Sequence, residues 1–390
     1  GLRTLDVDSK MLVDESLDVD PHVVPPGNSF DKVMSRLCLL ADRLPGRLMQ
    51  PRLDRVSSSW LPNRLRSRVD ALNPDILNLH WVNRGFMRIE TLPNFRQPVV
   101  WTFHDMWPIA GGEHYVGAST RYKDGYTRGN RPADETGLDI NRWIWARKRR
   151  AWSSLENLVI ATPSRWLADC VRQSAIFHDF RVEVLPNGVD HERFQPLQRD
   201  VAREILGLPK NKTLILFGAG SATSDKRKGY HLLLETLQTL RSWVNPEDYE
   251  LVVFGAASGT DSFAMNTRYL GNLRDEISMA LVYSAADVFL APSLEDNLPN
   301  TVLESLSCGT PVAAFNIGGM SDMIIHQRNG CVATAFDTTE LAKGLLWMVE
   351  DNNRWAQLSA AARATIVDSF TLEHAARRYL NLYEEVLDNV

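Results

Sequence analysis

Two carboxylates eight positions apart, Asp296 and Glu304, lie in the segment 291–314, APSLEDNLPNTVLESLSCGTPVAA. The order of residues predicts a strand, a polar loop with Asp296, a helix carrying Glu304 two turns from its start, a Gly stop and a second strand. A carboxylate can accept two hydrogen bonds from a diol, and a helix N-terminus favours anionic or hydroxyl-rich ligands. The alternative is that Asp296 is a capping residue and Glu304 a solvated helix residue. The loop and helix start between them contain Asn297, Leu298, Pro299, Asn300 and Thr301.

A Gly-rich turn followed by cations, FGAGSATSDKRKG, spans 217–229 after another predicted strand. Small residues such as Gly220 and Ser221 let the backbone approach a pyrophosphate. Arg227 or Lys228 can neutralise the charge of a departing phosphate. The pattern is neither G-x-G-x-x-G nor a Walker loop, and the alternative is a tight strand-to-helix turn with solvated cations.

A third candidate is the segment 101–115, WTFHDMWPIAGGEHY, which places His104 and Asp105 at the end of a predicted strand. His80 lies at the end of the preceding predicted strand and is the weaker candidate. A histidine at a strand end can contact a ligand, but a structural hydrogen-bonding role is the alternative.

Short apolar runs alternate with stretches of helical spacing along the whole chain, which predicts parallel strands joined by crossover helices. We therefore expect an α/β fold of two doubly wound sheets, with ligands collecting in a cleft beyond the carboxyl ends of the strands. The helical segments with the clearest apolar faces are 229–244 and 372–387. The predicted strands are 76–82, 99–103, 158–161, 213–217, 251–254, 288–291 and 311–315.

A length of 390 residues fits two domains, and a Pro-Asn-Gly turn within 181–190, RVEVLPNGVD, indicates the boundary between them. We expect an N-terminal domain over 1–191, a C-terminal domain over 192–371 and a final helix over 372–390 that can return to the N-terminal domain. Because the sequence does not begin with Met, we also expect the start of the first domain to be missing.

The composition excludes several protein classes. A hydrophobic share of 44% argues against disorder, and 43 Lys plus Arg against 48 Asp plus Glu argues against a nucleic-acid partner. The four cysteines are scattered and form no C-x-x-C pair, which indicates reduced thiols in the cytoplasm and no zinc site. The sequence contains neither an apolar run long enough to cross a bilayer nor a leader, so we expect a cytoplasmic protein.

The segment 141–152, NRWIWARKRRAW, interleaves tryptophans with basic residues. Such a helix can lie at the inner face of a membrane, within reach of a lipid-linked acceptor. The alternative is a crossover helix with a tryptophan core stripe and a solvated basic face. The segment 36–68 is similarly basic and favours surface attachment.

The sequence of residues 291–314 resembles the E-x7-E signature of the retaining GT-B glycosyltransferases of family four. The resemblance to this family covers nearly the whole chain. It implies that Glu304 binds the ribose of the donor and that the preceding loop binds the transferred sugar. One departure is that Asp296 stands where the family usually has Glu, unless Glu295 takes that role in a shifted loop. The family's phosphate-binding Lys of a KG pair corresponds to Lys228. Its upstream Arg is absent, so the nearby residues Ser221, Thr223 or Arg227 must share that task.

The segment 269–293 resembles the family's base-binding stretch, in which main-chain atoms near Asn272 and Leu273 hold the base; we prefer uridine by resemblance alone. The pattern HDMW followed by GGxHY resembles one that recurs in the family's polysaccharide branch. This resemblance implies that His104 contacts the transferred sugar. The resemblance therefore implies four catalytic residues, namely His104, Asp105, Lys228 and Asp296.

The resemblance implies a hexose transfer with retention, with glucose from UDP-glucose as the preferred donor and a saccharide or lipid-linked saccharide as the acceptor. The branch that it resembles is exopolysaccharide assembly of the heterocyst-envelope type. No cofactor and no metal ion are expected, since no D-x-D motif is placed to hold a diphosphate. The alternatives are an NAD-dependent oxidoreductase, which lacks its Gly-rich fingerprint here, and a non-catalytic protein that binds sugar nucleotides.

Overall fold

Parallel strands alternate with helices in a computed structural model that describes residues 1–15, 20–27, 29–49, 56–62, 64–133, 135–218, 225–256, 265–273 and 275–389. The chain divides into two units. One consists of Gly1–Leu185 together with Ala376–Val390, and the other is Pro186–Ala375. The first division falls just before the Pro-Asn-Gly turn that the sequence singles out, and the second falls inside the last helix.

The N-terminal unit is built on a four-stranded parallel sheet in the order β3-β4-β5-β6, and β1 pairs with β2 in a small separate sheet. Two 3-10 segments, Leu2–Leu5 and Ile89–Asn94, complete the unit. Its strands are β1 Met11–Leu12, β2 Val23–Val24, β3 Leu77–Leu79, β4 Val99–Thr102, β5 Leu158–Thr162 and β6 Val182–Val184. Its helices are α1 Ser29–Asp42, α2 Leu44–Met49, α3 Leu65–Leu72, α4 Arg121–Asp124, α5 Ile140–Trp152 and α6 Arg165–Arg172.

Large aromatic side chains fill the core of this unit. Every residue of β4 is buried, as expected for a strand covered on both faces. Trp101 of β4 meets Trp152 at the end of α5 edge-to-face, with 5.1 Å between ring centroids, and Phe177 stacks on Trp152. This packing fixes α5 across the sheet. β3 is shorter than the predicted strand 76–82, because the chain leaves the sheet at His80.

The C-terminal unit contains a six-stranded parallel sheet. Its strands are β7 Thr213–Gly218, β8 Tyr249–Phe254, β9 Asn266–Tyr269, β10 Val288–Ala291, β11 Val312–Phe315 and β12 Gly330–Ala333. Its helices are α7 Arg199–Ile205, α8 Tyr230–Arg241, α9 Glu276–Ala285, α10 Asn300–Ser307, α11 Met320–Met323, α12 Thr338–Val349 and α13 Asn352–Ser369. Two 3-10 turns, Lys226–Lys228 and Pro246–Asp248, precede α8 and β8.

The strand order β12-β11-β10-β7-β8-β9 places the first and fourth strands of this unit side by side in the sheet. From β7 the chain winds outward through β8 and β9, and from β10 it winds outward in the opposite direction. A crevice therefore opens beyond the carboxyl ends of β7 and β10, where ligands of doubly wound sheets bind. The sequence did not predict β9 or β12, because β9 is a polar edge strand, NTRY, and β12 begins with Gly.

The last helix, α14, spans Leu372–Asp388. Its side chains Leu382, Tyr383 and Val386 form an apolar cluster with residues of β4 and β5. The hydroxyl of Tyr379 is 3.0 Å from that of Thr102 at the end of β4. This part of the helix therefore packs on the four-stranded sheet.

Candidate functional site

The turn after β7 lies directly against the end of β10. Asp225 caps the 3-10 turn Lys226–Lys228, and Gly229 follows at a φ of 70°, a backbone conformation that favours glycine. A Cβ at Gly229 would clash with the carbonyl oxygen of Pro292. The amide of Leu294 donates to the carbonyl of Arg227 at 2.7 Å. This close approach brings the cations after β7 to the loop after β10.

Lys228 and Asp296 meet in this crevice. The ammonium of Lys228 donates to Oδ2 of Asp296 at 2.6 Å, and Oδ1 of Asp296 accepts the amide of Asn297 at 3.1 Å. Gly318, at a φ of 52°, packs so closely on the carbonyl oxygen of Asp296 that a Cβ would not fit. The Asp296 side chain is therefore buried and held at its backbone, while Lys228 remains partly open to solvent.

A pocket lies beside this ion pair, at the carboxyl ends of β7 and β10. Backbone and side chains from both strand ends and from the start of α10 line it. Such a pocket suits a ligand with an anionic group, because it combines an ammonium, a small-residue backbone and a helix start. Its lining includes Gly218, Lys228, Pro292, Ser293, Pro299 and Thr301.

Glu304 lies on α10 one turn after Asn300, where the helix begins, so the prediction that it lies two turns into the helix is wrong. The polar residues before position 300 form an extended loop rather than a first helical turn. Thr301 and Glu304 are three positions apart and share one face of α10. Thr301 lines the pocket, and Glu304 therefore lies just along the helix from it.

The buried hydroxyl of Tyr283 on α9 donates to Oε2 of Glu304 at 2.8 Å. Burial raises the pKa of the Glu304 carboxyl. The hydrogen bond from Tyr283 lowers this pKa, and the negative charge of Glu276 raises it. The second carboxylate oxygen, Oε1, has the lone pairs that a diol requires. Tyr283 is a contact that the sequence did not indicate, because nothing in its local pattern relates it to a residue on the next helix.

The other predicted donor-binding residues differ in burial and in their hydrogen-bond partners. Asn297 and Leu298 are buried, and Leu298 packs in the same apolar cluster as Tyr283. The side-chain oxygen of Asn300 accepts from Asn187 at 3.3 Å. The guanidinium of Arg227 pairs with Asp225 at 2.9 Å.

The predicted base-binding residues Asn272 and Leu273 follow the edge strand β9, two strands away from β7. Asn272 is exposed, and Leu273 packs against the cluster that holds Tyr283. Gly220, Ser221 and Thr223 lie outside the described residues.

In the N-terminal unit, His104 lies at the end of β4 and His80 at the end of β3. Nε2 of His104 and Nδ1 of His80 are 2.9 Å apart. The surrounding protein desolvates His80 and lowers its pKa to about 4, and burial also lowers the pKa of His104. Both rings are therefore neutral at pH 7, so one donates a hydrogen bond to the other.

Asp105 is the centre of a buried hydrogen-bond network. It accepts the amide of Trp107 at 2.9 Å and the indole N–H of Trp81 at 3.0 Å, and it lies 2.7 Å from Nδ1 of His114. The other ring nitrogen of His114 is 2.9 Å from the hydroxyl of Ser57. These contacts suit Asp105 for positioning the segment after β4, and its predicted catalytic role remains untested.

Helix α5, which is rich in basic and aromatic residues, packs several of these side chains into the interior of the N-terminal unit. The ammonium of Lys148 is fully buried and donates to the carbonyl oxygens of Trp107, Ala110 and Gly111. Trp152 is also fully buried, as the crossover-helix alternative requires. Burial lowers the pKa of Lys148 well below its usual value. Lys148 thus anchors the loop after His104, a role that its place in a basic run did not reveal. Membrane contact through this helix remains a prediction.

Comparison with known families gives two matches. A model described as Glycosyltransferase Family 4 matches residues 15–193, and a model described as Glycosyl transferases group 1 matches residues 212–351. A D-inositol 3-phosphate glycosyltransferase from Xylanimonas cellulosilytica is 33% identical over 223 residues, covering 53% of this chain and 51% of the relative. The chain thus spans about half the length of the curated relatives it matches.

Solved structures with a similar fold have low sequence identity. A sucrose-phosphate synthase from Thermosynechococcus elongatus has a TM-score of 0.65 at 16% identity, covering 92% of this chain and 94% of the other. Anabaena HepE in complex with UDP-glucose has a TM-score of 0.59 at 16% identity, covering 97% and 99%. The predicted α/β class, with two units built on parallel sheets, is confirmed. The doubly wound strand order is present in the C-terminal sheet, whereas the described strands of the N-terminal sheet follow one another in a single direction. Within the part of the chain that the structure describes, no helix is long and apolar enough to cross a membrane.

Proposed function

We propose that this chain, which matches models of family-four and group 1 glycosyltransferases, is a GT-B glycosyltransferase that transfers a hexose, preferably glucose, from a UDP-sugar with retention of configuration. The proposed acceptor is a saccharide or a lipid-linked saccharide in exopolysaccharide synthesis. The similarity to the D-inositol 3-phosphate glycosyltransferase of Xylanimonas cellulosilytica supports a phosphorylated polyol as a second acceptor class. A donor and acceptor panel, read as released UDP, distinguishes the two.

The observation that carries this proposal is the meeting of Lys228 and Asp296 at the crevice between β7 and β10, with Glu304 one turn along α10. In the proposed complex, Glu304 accepts the ribose hydroxyls through Oε1, because Oε2 already accepts from Tyr283. Lys228 contacts the diphosphate, and Asp296 accepts hydroxyls of the hexose. These three roles require one ammonium and two carboxylates around a single pocket.

In the proposed reaction, the bond between the anomeric carbon and the diphosphate oxygen breaks, and the acceptor oxygen bonds to that carbon on the same face. The departing phosphate oxygen takes the proton of the acceptor hydroxyl. Lys228 and the start of α10 stabilise the negative charge that develops on the leaving group. We further propose that His104 contacts the transferred sugar and that no metal ion is required.

Replacing Glu304 by alanine should raise the Kd for UDP about thirtyfold, corresponding to about 2 kcal/mol for hydrogen bonds to a charged group. Isothermal titration with UDP measures this, and Tyr283→Phe should give a smaller loss in the same direction. The matched control is Glu235→Ala, which removes an exposed helix carboxylate from the same unit. An unchanged Kd for Glu304→Ala contradicts the ribose role, and binding of NADH but not UDP supports the oxidoreductase alternative.

Replacing Asp296 by asparagine should have the opposite effect on UDP itself. The amide can still accept the Asn297 N–H, but it no longer neutralises Lys228. The freed ammonium should lower the Kd for UDP about threefold to tenfold, an effect that salt should weaken. Turnover of the donor should fall, since the hexose loses a charged acceptor. Weaker binding of UDP by this variant would mean that Lys228 does not contact the diphosphate.

A further inference from the structure

The first two helices have an apolar face that points away from the N-terminal unit. In α1 the buried positions are Cys38 and Asp42, and the exposed large apolar residues lie on the opposite side of the helix. The short helix α2, which follows α1 after one residue, adds two exposed leucines. We define the outer face by six residues and their exposed fractions: Phe30 57%, Val33 55%, Leu37 52%, Leu40 68%, Leu44 47% and Leu48 80%.

These six apolar side chains are exposed in the described structure, so packing inside the N-terminal unit does not account for their apolar character. Spacings of three and four residues from Phe30 to Leu40 form one stripe along a helix, which in a protein interior would face the core. A contiguous exposed stripe of this kind marks a surface that another apolar phase covers. The guanidinium of Arg64 lies over the Phe30 ring, 5.2 Å from its centroid.

The exposed charged residues of the segment from α1 to α2 are all cations. Exposed cations on α1, on α2 and at the residue between them lie beside the apolar stripe, whereas the two acidic residues of these helices face inward or are paired. Asp42 is buried, and Asp31 is 3.5 Å from Arg64. Glu15, outside the helices, lies 3.6 Å from one of these cations. The four exposed cations are Lys32, Arg36, Arg43 and Arg47.

We propose that the outer face of α1 and α2 docks on an anionic lipid bilayer, with its apolar side chains in the headgroup boundary and its cations among the lipid phosphates. An amphipathic helix with basic residues along its apolar stripe has the chemistry of such an interface. A second copy fits less well, because a symmetric dimer through this face would place four cations against four cations. The proposal replaces α5 as the contact surface, since α5 buries Lys148 and Trp152.

The test is co-sedimentation of the whole chain with phosphatidylcholine vesicles, with and without phosphatidylglycerol. The chain should bind the anionic vesicles, and raising the salt from about 0.1 M to about 1 M should weaken binding. Leu40→Asp with Leu48→Asp should lower the partition constant about tenfold or more. The matched control is Ile277→Asp, which charges an equally exposed apolar residue of α9 and should bind like the parent.

Circular dichroism tests whether the variants remain folded. An unchanged Kd for UDP shows that donor binding is independent of membrane docking. Equal binding of parent and Leu40→Asp/Leu48→Asp would overturn the proposal, as would binding that is indifferent to phosphatidylglycerol. A parent dimer that these substitutions dissociate, with no capture by vesicles, would assign the face to a second copy instead. Failure of donor turnover leaves the vesicle result unaffected, so the two proposals fail separately.

Discussion

Replacing Lys228 by alanine is expected to lower the turnover number for a UDP-sugar donor about a hundredfold to a thousandfold, equivalent to about 2.7–4 kcal/mol. The ammonium already faces a carboxylate at 2.6 Å in the crevice, so its charge is held where a leaving diphosphate would develop its own. An interaction that strengthens as the bond breaks affects kcat more than the Kd of the donor. Single-turnover rates and titration with UDP separate these two quantities.

Lys226→Ala is the matched control, because Lys226 belongs to the same 3-10 turn but is exposed. Its turnover should stay within about twofold of the parent, as befits a solvated surface charge. Equal losses in kcat and in donor affinity for Lys228→Ala would assign the lysine to ground-state binding. An unaffected kcat would remove it from the reaction altogether.

Replacing Lys148 by methionine should destabilise the N-terminal unit by about 3–5 kcal/mol, because each buried acceptor left without its donor costs about 1–3 kcal/mol. The side chain is of similar length, but it leaves the carbonyl oxygens of Trp107, Ala110 and Gly111 without their donor. It also removes the cation near the buried Glu113, whose pKa burial already raises. Urea unfolding followed by circular dichroism measures the change.

Arg150→Met is the control, since Arg150 is an exposed cation on the same helix and its loss should cost less than about 0.5 kcal/mol. If both variants unfold at the same urea concentration, Lys148 does not hold the loop after β4. The loop also carries His114, which contacts Asp105, so Lys148→Met should lower activity as well. Restored stability without restored activity in a Lys148→Arg variant would separate anchoring from loop geometry.

The sequence predicted most elements of both sheets because their strands are continuous apolar runs followed by turn residues. It missed β9, which is polar at the sheet edge, and it placed the start of α10 too early, because Asp296 and the following polar residues read as a helix start. Local patterns report burial on both faces well, but they do not show where a polar loop ends.

The candidate site divides in the same way. The sequence indicated Asp296, Lys228 and Glu304 as site residues, because the charge of a residue and its spacing from a strand are local properties. The Lys228–Asp296 ion pair and the Tyr283–Glu304 hydrogen bond join residues 68 and 21 positions apart, so no local pattern contained them. The predicted roles of Asn272 and Leu273 rest on main-chain contacts, which leave little trace in side-chain types.

The amino-acid sequence by itself determined the α/β class, the division near the Pro-Asn-Gly turn and the segments that carry the chemistry, because periodicity and turn residues act within a few positions. Only the tertiary structure decided which charges are solvated. Lys148, in a run of basic residues, is fully buried, whereas the apolar stripe of α1 faces outward. A side chain's environment depends on which distant elements pack over it, and that packing is a property of the whole fold.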